Sequence, residues 1–456
     1  MKTALVVLAL LLTVFALVVG GAYLWSTAPD EAPWTARSPE ALGELEAGIE
    51  DLSRRYFRDA ILHFERALEL DSEMPAARFF LAQIYSELPN QREDYLEALR
   101  DTDPQRMNER ERMLREYLLA VADGRRAEGG EVVAAYLANQ PDDPWALDLQ
   151  CSSAWLARDW NEAEACYRRL LKLDPNWVDA QGRLGYIAMA RGRFDEAEEL
   201  FRTYAYIAPD QAAPHAAVGQ LVTVLGRYEE AQQAIDRALE IKGDFCEAHH
   251  YQVSLLVLQN QLEQAMAALG EMEQIPACSI YEQFGVFCGT RSWLHYLMGD
   301  VAAAEAEMDA TCLDARGGWD ASYHRVSAMT GDTQRAAELL AKARQGLEGK
   351  DDDPEARTYF LEAIVLHMEG VQKAADGDWA TACELFRAAD QDVQYWMISR
   401  AGFKLRNRQD LLTCLKQQGR VEEAEALVQE ITAINPEYLG SPTVTDLIEL
   451  AGVEIP

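Results

Sequence analysis

Basic residues are scarce in this sequence of 456 residues, which has 42 Lys and Arg against 76 Asp and Glu and a formal net charge of −34. Because nucleic acids and anionic lipid surfaces are themselves negative, this balance argues against nucleic-acid binding and against membrane docking through basic patches. Only 28 Gly and 16 Pro are present, which rules out a collagen-like or Pro/Gly-rich low-complexity chain. An apolar fraction of 49% indicates a folded chain, and its length indicates several domains or a repeat array.

Sequence signatures of catalysis are also missing. The chain has no GxSxG, HExxH, P-loop or dinucleotide-binding motif, and none of the Gly-rich loop, HRD and DFG elements of a protein kinase. Its many paired carboxylates fall on the polar faces of amphipathic helical patterns, which is typical of a solvated surface. We therefore expect no enzymatic activity and no cofactor.

One long apolar run stands out, at residues 4–25, and it contains no charge. About 20 apolar residues suffice to span a bilayer as a helix. Lys2 precedes the run and Asp30 and Glu31 follow it, so the positive-inside rule places the bulk of the chain outside the cytoplasm. Two interpretations remain open for residues 1–27: an inner-membrane anchor with a periplasmic bulk, or a signal peptide whose cleavage leaves a secreted or periplasmic protein. We interpret residues 28–40 as an exposed linker.

A repeat follows, marked by alanines 34 residues apart at Ala163, Ala197, Ala231 and Ala265. A Gly or Asn precedes three of these alanines by five residues. These residue types adopt the left-handed conformation that commonly ends a helix, so we expect the first helix of each unit to end there. A large residue follows each alanine by four and falls on the same helical face. The residues at these positions are Arg158, Gly192, Gly226 and Asn260 before the alanine and Tyr167, Phe201, Ile235 and Leu269 after it.

This pattern resembles the tetratricopeptide repeat family. The resemblance implies an all-α fold, a right-handed α-solenoid of about eleven helix–turn–helix units. We expect divergent repeats at 41–143, a regular block at 144–279, degenerate repeats at 280–440 and a capping tail at 441–456. The phrases NERERMLREYLLAVADGRR and PHAAVGQLVTVLGRYEEA also resemble the arrays attached to bacterial serine/threonine kinases and adenylate cyclases.

The family resemblance further implies a concave groove lined by the first helix of each unit. The Lys and Asn residues with which chaperone adaptors of the family clamp a terminal carboxylate are absent, so binding of heat-shock chaperone tails is not expected. An aromatic and acidic lining suits an apolar or basic segment of another protein, although Trp145 and Trp155 could instead be core residues. The candidate groove residues are Trp145, Asp148, Ser152, Trp155, Asp179, Tyr186, Met189, Gln220, Thr223, Glu247, His250 and Ser254.

The eight cysteines allow disulfides outside the cytoplasm. Cys278 and Cys288 lie in an irregular stretch, and we predict a bond between them. Cys151 and Cys166 read as small apolar residues at helix contacts. The cluster of Cys246, His249 and His250 contains metal-binding residue types, but it lacks the paired spacing of zinc sites, so we expect no metal.

Three functional hypotheses follow. The leading one is a membrane-tethered or exported scaffold that binds other proteins, in bacterial envelope assembly, and contacts the membrane through its N-terminal helix only. The alternative is a regulatory or sensor array for a separately encoded kinase or cyclase. A third is an envelope enzyme with an unrecognised site within 280–375.

Overall fold

The computed structural model describes residues 33–85, 89–157, 159–279, 286–307, 333–347, 359–392 and 398–437. Throughout these ranges the regular structure is helical and no strand occurs, as expected of an all-α solenoid of tandem helical repeats. The predicted anchor or signal peptide at 1–27 and the predicted capping tail lie outside the described residues. Of the helices within the described ranges, none combines the length and the apolar character needed to cross a bilayer.

The described residues divide into two compact units, those of 1–50 and 59–139 and those of 51–58 and 140–456. The helices up to residue 139 are α1 Pro39–Ser53, α2 Phe57–Leu70, α3 Pro75–Ile84, α4 Pro89–Asp101, α5 Glu109–Ala122 and α6 Arg126–Asn139. The turn between α1 and α2, with the helix ends beside it, belongs to the second unit.

The regular block of the second unit contains eight helices of similar length, α7 Pro144–Leu156, α8 Trp160–Leu173, α9 Val178–Ala190, α10 Phe194–Ile207, α11 Ala212–Val224, α12 Tyr228–Ile241, α13 Cys246–Leu258 and α14 Leu262–Glu273. Beyond it, the described helices are α15 Val286–Leu297, α16 Val301–Glu307, α17 Thr333–Leu347, α18 Tyr359–Ala375, α19 Trp379–Asp392, α20 Ile398–Gln417 and α21 Val421–Ile434.

Left-handed residues end the first helix of the hairpins, as the sequence predicts. Gly192 has a φ of 71°, and Asn260, which replaces glycine in its repeat, has a φ of 57°. The amide of Arg193 then donates to the carbonyl oxygen of Ala188 at 2.9 Å and closes the helix end. The same conformation recurs at Gly124, Gly226, Gly299, Gly377 and Gly419.

The chain between residue 33 and α1 packs on the first unit rather than forming the exposed linker that we predicted. Trp34 is 4% exposed and its ring lies edge-on to Phe80 at 5.5 Å. The Thr35 amide and hydroxyl donate to the buried carboxylate of Glu111 at 2.7 and 2.6 Å. An apolar anchor and a satisfied buried carboxylate fix this segment, since an unpaired carboxylate would be costly to bury.

Within the second unit, the C-terminal helix α20 packs against α11. Asn435, at the end of α21, is fully buried against the backbone of Gly226, and its side-chain amide donates to the Tyr228 hydroxyl at 3.4 Å. Helices that are remote in sequence therefore cover part of the surface that an isolated row of repeats would leave open.

Candidate functional site

The candidate groove is carried by the first helices of the regular block, α7, α9, α11 and α13. Helix α7 begins at Pro144, a position where the backbone amide would have no partner within the helix. The Asp143 side chain caps the helix by accepting hydrogen bonds from the amides of Trp145 and Ala146, both at 3.0 Å. The repeated helix lengths set the groove-facing positions of α7, α9, α11 and α13 in register.

An aromatic cluster spans α7 and α9. Trp155 is 7% exposed and packs edge-on to Trp160 at 5.4 Å and to Tyr186 at 6.5 Å. The guanidinium of Arg183 lies 5.4 Å from the centre of the Trp155 ring. Trp145 packs edge-on to Trp177 at 4.9 Å and stays partly exposed. Trp155 is thus a core residue, in agreement with the alternative interpretation, whereas Trp145 stays partly exposed.

Acidic groups lie beside this cluster. Burial raises the pKa of Asp148 to about 6, and the nearby charge of Asp179 adds to the effect. Asp179 itself accepts a hydrogen bond from Arg183 at 3.1 Å. Ser152 lies 3.3 Å from the Tyr167 hydroxyl. The α7–α9 sector therefore combines partly desolvated carboxylates with aromatic rings, and the guanidinium of Arg183 contacts both Asp179 and Trp155.

Arg55, from the turn assigned to this unit, occupies the next part of the surface. Its Nε and Nη2 both donate to one carboxylate oxygen of Glu247, with 3.1 Å between Nε and that oxygen. Burial opposes the charge of Arg55, but Glu247, Tyr186 and Asp179 outweigh it, so the pKa of the guanidinium is raised well above its ordinary value. Two predicted groove carboxylates and a groove tyrosine thus act on one arginine of the same chain.

His250 and Ser254 lie further along α13. Burial lowers the pKa of His250 to about 4, so this imidazole is neutral at pH 7. The Ser254 hydroxyl donates back to the His250 carbonyl oxygen at 3.0 Å and does not point to a ligand.

Three predicted groove residues do not line an accessible surface. Met189, Gln220 and Thr223 are 0%, 1% and 0% exposed, and α20 packs against α11, the helix that carries Gln220 and Thr223. The Thr223 hydroxyl donates to the Gly219 carbonyl oxygen at 2.7 Å. Neither amide atom of the Gln220 side chain has a hydrogen-bond partner among the described residues.

The predicted Cys278–Cys288 disulfide is wrong. Cys278 is instead bonded to Cys246, whose Cα lies 5.3 Å away, and Cys288 is also disulfide-bonded. Cys246 ends up next to Cys278 because it begins α13, beside the short helix Pro276–Cys278 that follows α14. The bond also removes the Cys246 thiol that we considered as a metal ligand.

Two further disulfides join Cys151 to Cys166 and Cys383 to Cys414, with Cα separations of 5.2 and 5.5 Å. The sequence favours Cys151 and Cys166 as small packing residues, whereas the structure bonds them to each other. Their spacing across one helix hairpin is the signal that could have paired them, because the repeat register places both at the contact between the helices.

Comparison with known proteins agrees with this geometry. The sequence model of the family described as "Tetratricopeptide repeat" matches residues 45–106 and 151–212. These two stretches of the chain are therefore tetratricopeptide repeats. No curated protein matches it.

Comparison with solved structures finds matches that share little sequence with this chain. A tetratricopeptide repeat protein from Parabacteroides merdae is 16% identical, with 59% of this chain and 99% of that chain covered and a TM-score of 0.44. The Cut9–Hcn1 hetero-tetramer of the APC/C is 11% identical, with coverages of 90% and 87% and a TM-score of 0.46. The human IFIT1 dimer with m7Gppp-AAAA is 13% identical, with coverages of 88% and 96% and a TM-score of 0.48.

Proposed function

We propose that this protein is a scaffold that binds other proteins through the open part of its concave face, outside the cytoplasm in the bacterial envelope. The observation that supports the proposal is the aromatic and acidic surface of α7, α9 and α13, where Trp145, Asp148, Asp179 and Glu247 stay partly exposed. A preformed surface of this kind recognises a segment without chemistry of its own.

The cysteines support the extracytoplasmic part of the proposal. Disulfides persist in oxidising compartments and are rare in reducing ones. Three of them join pairs of described residues, and the apolar run at 4–25 supplies a means of export or tethering. An array that serves a separate kinase or cyclase would need the same groove, so the identity of the partner separates the two hypotheses.

Site-specific photo-cross-linking in cells tests the proposal. A photoreactive residue is placed at Trp145, and the matched control is placed at Tyr206, which is 86% exposed on the second helix of its repeat. We expect defined protein adducts from position 145 and none from position 206. Equal labelling from both positions, or no adduct from position 145, would contradict the proposal.

A further inference from the structure

Arg55 stands at a position where the other described turns carry glycine or asparagine. It precedes the small residue Ala60 by five positions, as Gly192 precedes Ala197, and it adopts a φ of 65°. This left-handed conformation is unfavourable for a residue with a side chain. Arg158 holds the same repeat position in its own unit, so the residue type alone assigns no task, and the evidence for one is the contact that the Arg55 side chain makes.

The Arg55 side chain forms an ion pair with Glu247, and the nearby Asp179 and Tyr186 further stabilise its positive charge. The side chains of Arg55 and Glu247 remain 27% and 17% exposed. Because solvent reaches both side chains, another guanidinium can exchange with that of Arg55 although the surrounding groups stabilise its charge.

Tyr56, the next residue in the chain, also contacts the second unit. The Tyr56 hydroxyl accepts a hydrogen bond from the Ala212 amide at 3.2 Å. Its ring packs edge-on to Phe245 at 6.1 Å, and the ammonium of Lys242 lies 5.3 Å from the ring centre. The second unit therefore holds two adjacent subsites, an acidic one for a guanidinium and an aromatic one for a tyrosine ring.

We propose that these two subsites are a receptor for an arginine followed by an aromatic residue in a partner protein. Arg55 and Tyr56 are the resident occupant, which the matching partner segment displaces. The proposal rests on the proposed scaffold function and adds the chemistry of the partner. Trp145 and Asp148, on α7, stay partly exposed, so a longer partner segment can make additional contacts there. The arginine of such a segment also need not adopt the left-handed conformation that Arg55 adopts in its turn.

Peptide binding to the full chain tests displacement. The probe is a fluorescent peptide with the sequence of residues 51–58, DLSRRYFR, and the opened chain carries Arg55→Gly with Tyr56→Ala. Glycine suits the left-handed position, so the hairpin is retained. We expect the opened chain to bind the probe at least tenfold more tightly than the unaltered chain, and a probe with alanine at its second arginine and its tyrosine not to bind.

A second substitution locates the binding. In the opened chain, Glu247→Gln is expected to weaken binding of the probe at least tenfold, whereas Glu240→Gln, on exposed α12 surface, leaves it unchanged. Equal affinity of the opened and unaltered chains, or an unchanged affinity after Glu247→Gln, would overturn the proposal. If circular dichroism shows that the double variant is unfolded, Arg55→Gly alone is measured, with a smaller gain expected and the same criterion for rejection.

The two proposals can fail separately. Protein adducts at position 145 together with no binding of the probe would leave the scaffold function standing and remove the arginine–aromatic receptor. Binding of the probe without adducts in cells would leave the arginine–aromatic receptor standing and remove the proposed scaffold function.

Discussion

Gly185 and Phe201 touch across the hairpin of α9 and α10, and a Cβ built on Gly185 would lie 2.5 Å from the Phe201 ring. Phe201 is fully buried. The same contact recurs at Gly370 and Phe386. In each of these hairpins the phenylalanine ring of the second helix packs directly against the backbone of the first helix. A small residue recurs at this position of the repeat because a side chain would collide with the ring.

Replacement of Gly185 by alanine is expected to destabilise the protein. Alanine favours the helix by about 1 kcal/mol, but crowding of a packed contact costs about 1–3 kcal/mol, and Phe201 has no solvent-exposed direction in which to move. Denaturant unfolding and hydrogen exchange of α9 and α10 measure the loss. Gly270→Ala is the matched control, because no atom lies within 4 Å of a Cβ there. A Gly185→Ala variant as stable as the control would contradict the packing account.

The disulfides give a second prediction. Peptide mapping of the unreduced chain by mass spectrometry should recover Cys246 linked to Cys278, Cys151 to Cys166 and Cys383 to Cys414. Removal of Cys246 and Cys278 together should lower the free energy of unfolding by about 3 kcal/mol, because a cross-link restricts the unfolded chain. A recovered Cys278–Cys288 peptide would instead support the bond predicted from sequence.

His250 predicts a loss of stability in acid. Burial lowers its folded pKa to about 4, below the usual value of 6.5, so the folded state disfavours the charged imidazole. The contribution of neutral His250 to the free energy of unfolding is fully present above pH 6.5. It is lost as the pH falls towards 4, and the loss is at most about 3 kcal/mol. Thermal unfolding between pH 7 and pH 4 should show a smaller decline for His250→Gln than for the unaltered chain. His249→Gln is the neighbouring control, and the same flattening in both variants would exclude His250 as the cause.

The repeat register was predictable from the sequence because it depends on local chemistry. Gly192, Gly226 and Asn260 had to end helices, and the structure confirms that each takes positive φ. The occupied groove was not predictable in the same way. The contacts of Arg55 with Glu247 and of Asn435 with Gly226 join residues far apart in the chain, and repeat spacing carries no information on such pairs.

The wrong disulfide has the same physical origin. Cys278 and Cys288 are close in sequence, but bond formation requires the Cα atoms to lie about 4.4–6.8 Å apart in space. Cys246 meets this requirement for Cys278 through the packing of α13 and α14, which sequence separation does not reveal. Arg55 gives only a weak sequence signal, an arginine at a position that is glycine or asparagine in other units and that Arg158 shares.

Gln220 and Thr223 supply a final prediction, since both are buried polar residues one turn apart on α11. Thr223 is satisfied by the Gly219 carbonyl oxygen, whereas both amide atoms of Gln220 lack a hydrogen-bond partner among the described residues. A buried polar group without a partner costs about 1–3 kcal/mol, so Gln220→Met, which keeps the volume, should raise the free energy of unfolding by about 1 kcal/mol or more. Thr223→Val removes a satisfied hydroxyl and should lower it by about 1 kcal/mol. Denaturant unfolding of the two variants decides the matter, and a loss of stability in Gln220→Met would mean that the amide has a partner in solution, such as a bound water.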